Sequence, residues 1–479
     1  MVSGRVPGTM AVFFCYDNNS SIKKPEAFPE MIRDRSFYRF FFILTFSIAL
    51  QNLLTYGVNM MDTLMLGRYS QDAMSGVSLC NQVQFLLQML SSGAAEGAVV
   101  LGAQYWGKER LEPIPSVIGA ALRFGGALAA VLFLVVSIFP DAILKLLSND
   151  AAVIAQGRLY FSVIRWSYLI FVVTHILAAS LRSIGIVAVG QMIAASTLVI
   201  NVCLNYCLIY GNFGFPELGV RGAALATLTA RCIELVIVIL YLKYREHRLN
   251  LSFRNLVFID TSYLGDFFRV SAPVLLNSGL WGFAQMIQTA VLGHLGGDVT
   301  AANAIAVQVF QILSVAAYGS ASAACIVVGK TVGKGGDGEL RTLVRTLQVI
   351  FLTIGVISGS LIFSLRRPIL LLFGGKLTER AYKLAMQFML VLSVTTVGTS
   401  YQMAVDSGIL HGGGDTSFSG KMNLISMWLF VVPGACVAAY VLHLPEIVVF
   451  FLLKWDQLYK IIPVQLRLNS WKWVKNVTR

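Results

Sequence analysis

Apolar runs of about 20 residues recur along almost the whole chain, separated by short polar or glycine-rich breaks. A helix of that length crosses a hydrocarbon core about 30 Å thick. The pattern predicts twelve spanning helices, near 38–58, 74–98, 117–139, 159–180, 187–210 and 222–243, then 271–291, 300–325, 344–364, 386–408, 421–441 and 445–464. Gly and Ser interrupt many runs, so the number of spans is better defined than their edges. Nothing remains for a sizeable soluble domain.

The pattern also repeats. "LMLGRYSQDA" at 64–73 and "AVLGHLGGDV" at 290–299 pair Gly67 with Gly293 and Asp72 with Asp298, an offset of 226 (298 − 72). The same offset pairs Gln82 with Gln308, Gly107 with Gly333 and Lys108 with Lys334. A second echo, after small gaps, pairs Gly185 with Gly414 and Gly190 with Gly420. Solenoid repeats run to some 20–50 residues, so an offset this long means two copies of a domain. In a membrane chain, duplicated bundles are the architecture of alternating-access transporters.

Composition agrees with the pattern. Of 479 residues, 56% are hydrophobic and 13% charged, against about 25% charged in soluble domains; mean hydropathy is +0.72. The net charge of +13 changes the picture only through its placement. With the N-terminus inside, inner segments carry Lys23, Lys24, Arg33, Arg35, Lys108, Arg110, Lys243, Arg245, Arg248, Lys330, Lys334, Arg341, Lys472 and Lys475. Outer loops carry fewer cations: Arg68, Lys145, Arg221, Arg366, Arg367, Lys376 and Arg380. That bias follows the positive-inside rule with both termini cytoplasmic, so the basic balance reflects topology rather than a nucleic-acid surface. Residues 1–30 lack a basic-then-apolar signal pattern and read as a cytoplasmic tail. Six of the seven cysteines (Cys80, Cys203, Cys207, Cys232, Cys325 and Cys436) fall in apolar spans and read as packing residues, not metal ligands. "GKGGDGE" (333–339) and "HGGGD" (411–415) lack the spacing of a phosphate loop, and no strand precedes them. They read as tight turns. No ATPase motif is present, so uphill transport would draw on an ion gradient.

A carboxylate inside a span costs at least about 2.5 kcal/mol at the bilayer centre and survives where it lines a cavity, pairs or binds an ion. Asp62, at the outer end of the first span, follows Gln51, Asn52 and Asn59, and the two asparagines recur on its helix face. It reads either as an interfacial residue closing the span or as a proton- or Na⁺-binding carboxylate. Its repeat partner is Gln288, followed by Thr289 as Asp62 is by Thr63. Asn201 and Asn205, one turn apart, share a face. They would clasp a neighbouring helix, or give oxygens to a cation or hydrogen bonds to Asp62. Glu96 lies among small residues, Glu234 at i+3 from Arg231 suits an intrahelical pair, and Asp406 sits near the inner end of the tenth span. Gln288, Glu96 and Asp406 are further candidates for substrate or coupling contacts.

Together "MMDTLMLGR", "AQYWGKER", "GVRGAALATLTAR", "SGILHGGGDT" and "SWKWVKNVTR" resemble the multidrug and toxic compound extrusion (MATE) family, most closely its bacterial branch, over about 38–479. The resemblance implies an all-α polytopic membrane fold of about twelve helices in two pseudo-symmetric six-helix bundles. It divides the chain into a cytoplasmic tail 1–37, an N-terminal lobe 38–243, a cytoplasmic linker 244–270, a C-terminal lobe 271–464 and a basic tail 465–479. It further implies a monomeric, multi-pass plasma-membrane antiporter that exchanges H⁺ or Na⁺ for small, often cationic, organic compounds, with no enzymatic activity, no cofactor and no bound metal beyond Na⁺ at Asp62. The family's first-helix aspartate falls on Asp62, and its fifth-helix Asn-x-x-x-Asp pair on Asn201 and Asn205, so the second member is an amide here. Its pocket threonine falls on Thr227. A seventh-helix glutamate of some branches falls on Ser278, and Asp406 is about six residues out of register with a tenth-helix aspartate. These departures leave Asp62 as the coupling candidate. A lipid-linked-oligosaccharide flippase of the same superfamily is the alternative; mid-span cations, chiefly Arg165 and Lys454, are too few for it.

Overall fold

The structure, a computed structural model, describes residues 31–147, 150–246, 262–335, 337–372, 378–475 and 477–478. The tail 1–30 with Lys23 and Lys24, Arg248 and most of the linker, Lys376 and Gly336 of the first glycine-rich turn lie outside the described residues. Helices are the only extended regular elements among those described. That follows from the solvent, because hydrocarbon offers backbone groups no partner and a helix satisfies them internally.

The N-terminal lobe contains α1 (Arg35–Tyr69), α2 (Gln71–Gly107), α3 (Ile114–Ile138), the short α4 (Pro140–Leu147), α5 (Ala151–Ile164), α6 (Ser167–Ser183), α7 (Ala188–Tyr210) and α8 (Val220–Tyr244). The C-terminal lobe contains α9 (Ser262–His294), α10 (Gly297–Leu313), α11 (Val315–Lys334), α12 (Asp337–Leu372), α13 (Glu379–Met403), α14 (Thr416–Ile425), α15 (Glu446–Lys454), α16 (Asp456–Tyr459) and α17 (Ile461–Asn469). Nine helical segments are long and apolar enough to cross a membrane, and α5 with α6, bent by 57°, makes a tenth. With α9 and the interrupted run α15–α17 the crossings number twelve, as the pattern predicts.

Local chemistry sets the ends. Asp34 caps α1 by accepting from Ser36 N at 2.8 Å, and Asp150 caps α5 by accepting from Ala152 N at 2.8 Å. Ser70 closes α1 through its N–H to Leu66 O and opens α2 through its hydroxyl. Gly185 (φ +82°) and Gly414 (φ +86°), partners in the second echo, both turn in the left-handed region at the ends of equivalent spans. α13 runs on as a π-helical stretch, Ala404–Leu410, and α14 continues through Ser426–Val431 and Val437–Val441 in the same form.

The lobes join around the repeat's own axis. At the end of the bundle where α1 begins, here called proximal, α2 crosses α11. A Cβ on Gly107 would strike Lys330 O and stand 3.0 Å from Gly333 Cα; one on Gly333 would strike Gln104 O and stand 3.0 Å from Gly107 Cα. One turn away, a Cβ on Gly329 would lie 2.8 Å from that of Ala103. Both pairs are 226 apart, so equivalent residues meet across a pseudo-twofold. Phe41, Leu44 and Ile48 of α1 join one buried cluster with Ala321, Ile326, Leu343 and Val405 of the other lobe. α11 therefore packs against α1 and α2, whereas α10 packs against α9, α12 and α13 of its own lobe. The lobes close proximally and part distally. Down α2, Ser78, Gln82, Phe85 and Glu96 stay exposed along the parted side.

Candidate functional site

The distal half of α1 buries Val58, Asp62, Met65 and Leu66, an i, i+4, i+7, i+8 stripe. α7 buries Ile193, Thr197, Asn201, Asn205 and Ile209, a strict one-turn series, and the two stripes face each other. Asp62, 9% exposed, accepts a hydrogen bond from Asn205 Nδ2 at 2.5 Å. That nitrogen also lies 3.0 Å from Asn201 Oδ1. Asn201 Nδ2 donates to Thr227 Oγ1 at 3.2 Å, and Asn201 also lies close enough to act on the Asp62 carboxylate. The four residues singled out for ion coupling thus converge in one pocket of the N-terminal lobe.

Sequence reasoning missed part of this pocket. Tyr160 of α5, buried, lies beside Thr227 and Asp62; a tyrosine in an apolar run gives no signal that separates packing from a polar role. Beside the pocket, Arg231 donates to both oxygens of Glu234 at 2.9 and 3.0 Å, and the Thr197 hydroxyl donates to the same carboxylate. The intrahelical pair is present, tied in addition to α7. Asn59 departs from expectation. Its side chain is exposed and Asn52 is half-buried, outside the Asp62 bonds. The buried face of α1 follows Val58 and Asp62 at i, i+4; Asn59 sits about 60° beyond Asp62 around the helix.

Chemically the pocket is a set of oxygens. Asn205 Oδ1 is buried with no hydrogen-bond partner, and its amide nitrogen is committed to Asp62 and Asn201. An unclaimed carbonyl oxygen beside a carboxylate is a donor set for a proton or a small hard cation. Among the described residues no three His, Cys, Asp or Glu side chains converge on a point that would hold a metal. Cys203 and Cys207 are free thiols.

The second copy is built with different polarity. Gln288, 4% exposed, lies in the C-terminal lobe; its Nε2 is 3.4 Å from Met427 Sδ, and Lys454 Nζ is 3.4 Å from its Oε1. An ammonium thus approaches the position matching Asp62. Asp406, 2% exposed, accepts from Asn423 Nδ2 at 2.9 Å, and its Oδ1 has no partner. Glu96 stands between the lobes, its Oε2 3.6 Å from His411 Nδ1. None of these three joins the Asp62 pocket; Glu96 and Asp406 instead flank His411.

The MatE family profile matches residues 47–207 and 273–437, one match per lobe. The chain belongs to the MatE family. Its relatives include the probable multidrug resistance protein NorM of Thermotoga maritima, 26% identical over 392 residues, covering 81% of this chain and 82% of NorM. The probable multidrug resistance protein YoeA of Bacillus subtilis is 26% identical over 400 residues, covering 82% and 85%. Among solved structures, a mutant of the Vibrio cholerae MATE transporter VcmN superposes with a TM-score of 0.83 at 17% identity, over 92% of this chain and 98% of VcmN. The eukaryotic MATE transporter AtDTX14 superposes with 0.80 at 18% identity, over 92% and 97%. Both superpositions show the same two-lobed helical fold, and the family match with its transporter relatives makes this a multi-pass membrane transporter.

Proposed function

We propose that this MatE protein is a secondary antiporter of the plasma membrane, driving efflux of small organic compounds by exchange with H⁺ or Na⁺ at Asp62. The observation that carries the reading is the buried Asp62 carboxylate held by Asn205, because a carboxylate inside a span is costly and is retained chiefly for function. The multidrug names of NorM and YoeA support the substrate class.

A cation entering the pocket neutralises Asp62 and competes for the oxygen that Asn205 holds. The same continuous helix carries the interlobe residues Phe41, Leu44 and Ile48. Asp62 lies fourteen residues from Ile48, about 21 Å along the axis. One continuous element therefore links ion occupancy to the contact that must break for the lobes to rock. On this reading the proximal end is cytoplasmic, the protein works as a monomer, and the cleft faces outward in this structure.

Proteoliposomes with an imposed pH or Na⁺ gradient test it. Asp62→Asn is expected to abolish gradient-driven efflux while leaving the protein folded and able to bind substrate. Undiminished efflux by that variant would sink the proposal, and omission of Na⁺ separates the two coupling ions.

A further inference from the structure

We propose that Glu96 is a cation-binding position at the floor of the cleft, and that an organic cation bound there competes with an interlobe contact from Glu96 to His411. The proposal rests on the transport reading above but uses residues outside the Asp62 pocket.

Placement comes first. Ala103 and Gly107 of α2 face Gly329 and Gly333 of α11. Glu96 is seven residues from Ala103, about 20° off the same direction, so it points where α11 would be if the lobes had not parted. Its repeat partner Ser322 is half-buried, leaving Glu96 as the single carboxylate of that matched pair. Glu96 is the last exposed residue on α2 before the crossing closes: Gly97, Ala98, Val100 and Ala103 are all buried.

Exposure and charge come next. The Glu96 side chain is 49% accessible, although it lies 25 residues into a 37-residue spanning helix. A carboxylate open at that depth faces a water-filled cavity. Phe85 and Met89 lie above it on α2, with Phe85 6.4 Å from the Trp281 ring of the other lobe. Aromatic and thioether surfaces over a carboxylate suit a cation with an apolar body. Within the protein, the groups of opposite charge are His411, buried in the C-terminal lobe, and Arg182 on α6; Asp406 and Asp415 face His411 from its other side. The 3.6 Å separation from His411 exceeds the 2.7–2.9 Å of a closed charge-assisted bond. The carboxylate is engaged by the other lobe without being saturated by it.

Glu96 cannot serve both partners fully. A cation on the carboxylate weakens its hold on His411, and by reciprocity a tighter Glu96–His411 contact lowers affinity for the cation. Cation occupancy at the floor thus loosens a tie across the crossing that must open.

The test uses the full-length protein in nanodiscs and two probes, tetraphenylphosphonium and neutral triphenylphosphine oxide, with calorimetry at fixed pH. Glu96→Gln is expected to weaken phosphonium binding about tenfold or more, the weight of one contact to a charged group, and to leave the neutral probe unchanged. His411→Ala is expected to strengthen phosphonium binding, the opposite of what general damage to the floor would do. Asp62→Asn is expected to bind phosphonium as the parent does while failing in gradient-driven efflux, so the two proposals fail separately. Parent-like phosphonium affinity in Glu96→Gln, equal loss for both probes, weakened binding in His411→Ala, or no saturable phosphonium binding by the parent would each overturn the inference.

Discussion

Asp62 keeps its place in hydrocarbon because its neighbours are arranged around a charge. Asn205 Nδ2 supplies the shortest of those contacts, and hydrogen bonds to charged groups contribute about 1.5–3 kcal/mol. Asn205→Ala removes that donor, so gradient-driven efflux should fall about tenfold or more with the lobe still folded; unchanged efflux would show that the bond is structural only. Asn205→Asp is the sharper variant, since it puts a second carboxylate against Asp62, and like charges at that distance cannot both ionise. Efflux in Asn205→Asp should therefore show a pH dependence distinct from the parent's, read from rates across a pH series. At this scale the sequence was informative where chemistry is scarce. A lone carboxylate near the end of the first span and two amides at i, i+4 left few readings for Asp62, Asn201 and Asn205, and the structure unites them. Tyr160 was illegible because tyrosine is common in apolar helices, and Asn59 was misplaced because a seven-residue spacing fixes a face only to within a helix's width.

The first helix is the element on which the proposal turns. It is unbroken from Arg35 to Tyr69, and Gly57 lies between Asp62 and the interlobe residues. A Cβ on Gly57 would meet only Leu198, at 3.8 and 4.0 Å, ordinary van der Waals distances. Gly57→Ala is therefore sterically silent, and it should stiffen the helix by about 0.5–1 kcal/mol. If transport bends α1 here, this variant melts at a higher temperature yet turns over more slowly. A higher melting temperature with parental turnover would move the bend elsewhere. Hydropathy located most spans as apolar runs of membrane length, but it could not see their ends or breaks. α1 extends eleven residues beyond the predicted edge at 58, where one buried stripe of Asp62, Met65 and Leu66 continues among polar and exposed residues that lower the local hydropathy. The bend between α5 and α6, the break at Ser314 between α10 and α11, and the π-helical stretches after Met403 and Ile425 all fall inside apolar runs. No local pattern announces them.

The whole molecule is held at one end by its axis and by its own C-terminal segment. Trp473 is fully buried against Gly413, and Lys475 donates through N to Gly413 O at 2.7 Å and through Nζ to Asp415 at 2.6 Å. Gln104 of the other lobe donates to Gly412 O and Lys475 O, both at 3.2 Å, and accepts from Val477 N at 3.0 Å. A stretch expected as a basic tail is thus laid across both lobes. Its sequence showed the charges but not the partner, because Gln104 in an apolar run carries no sign of what it will meet. Gln104→Ala should strand several buried backbone groups at about 1–3 kcal/mol each. It should also favour opening at the proximal end, read as faster hydrogen exchange in 471–478. The axis permits a stricter experiment. A side chain on Gly333 would strike Gln104 O and crowd Gly107 Cα, while the C-terminal lobe keeps a cluster of its own and the N-terminal lobe supplies most of another. Gly333→Val should therefore leave both lobes folded and prevent proximal closure, an overpacking of about 1–3 kcal/mol. On the alternating-access reading proposed above, efflux would stop because one of the two states is gone. A cysteine at Ala103, buried in the closed crossing, should then react with maleimide in the Gly333→Val background and resist it otherwise. Gly126, whose Cβ would meet open space, supplies the control: Gly126→Ala should transport as the parent does. Parental efflux in Gly333→Val would mean that the closed crossing is dispensable. The matched glycines would then record only the duplication, without serving the motion that two matched lobes make possible.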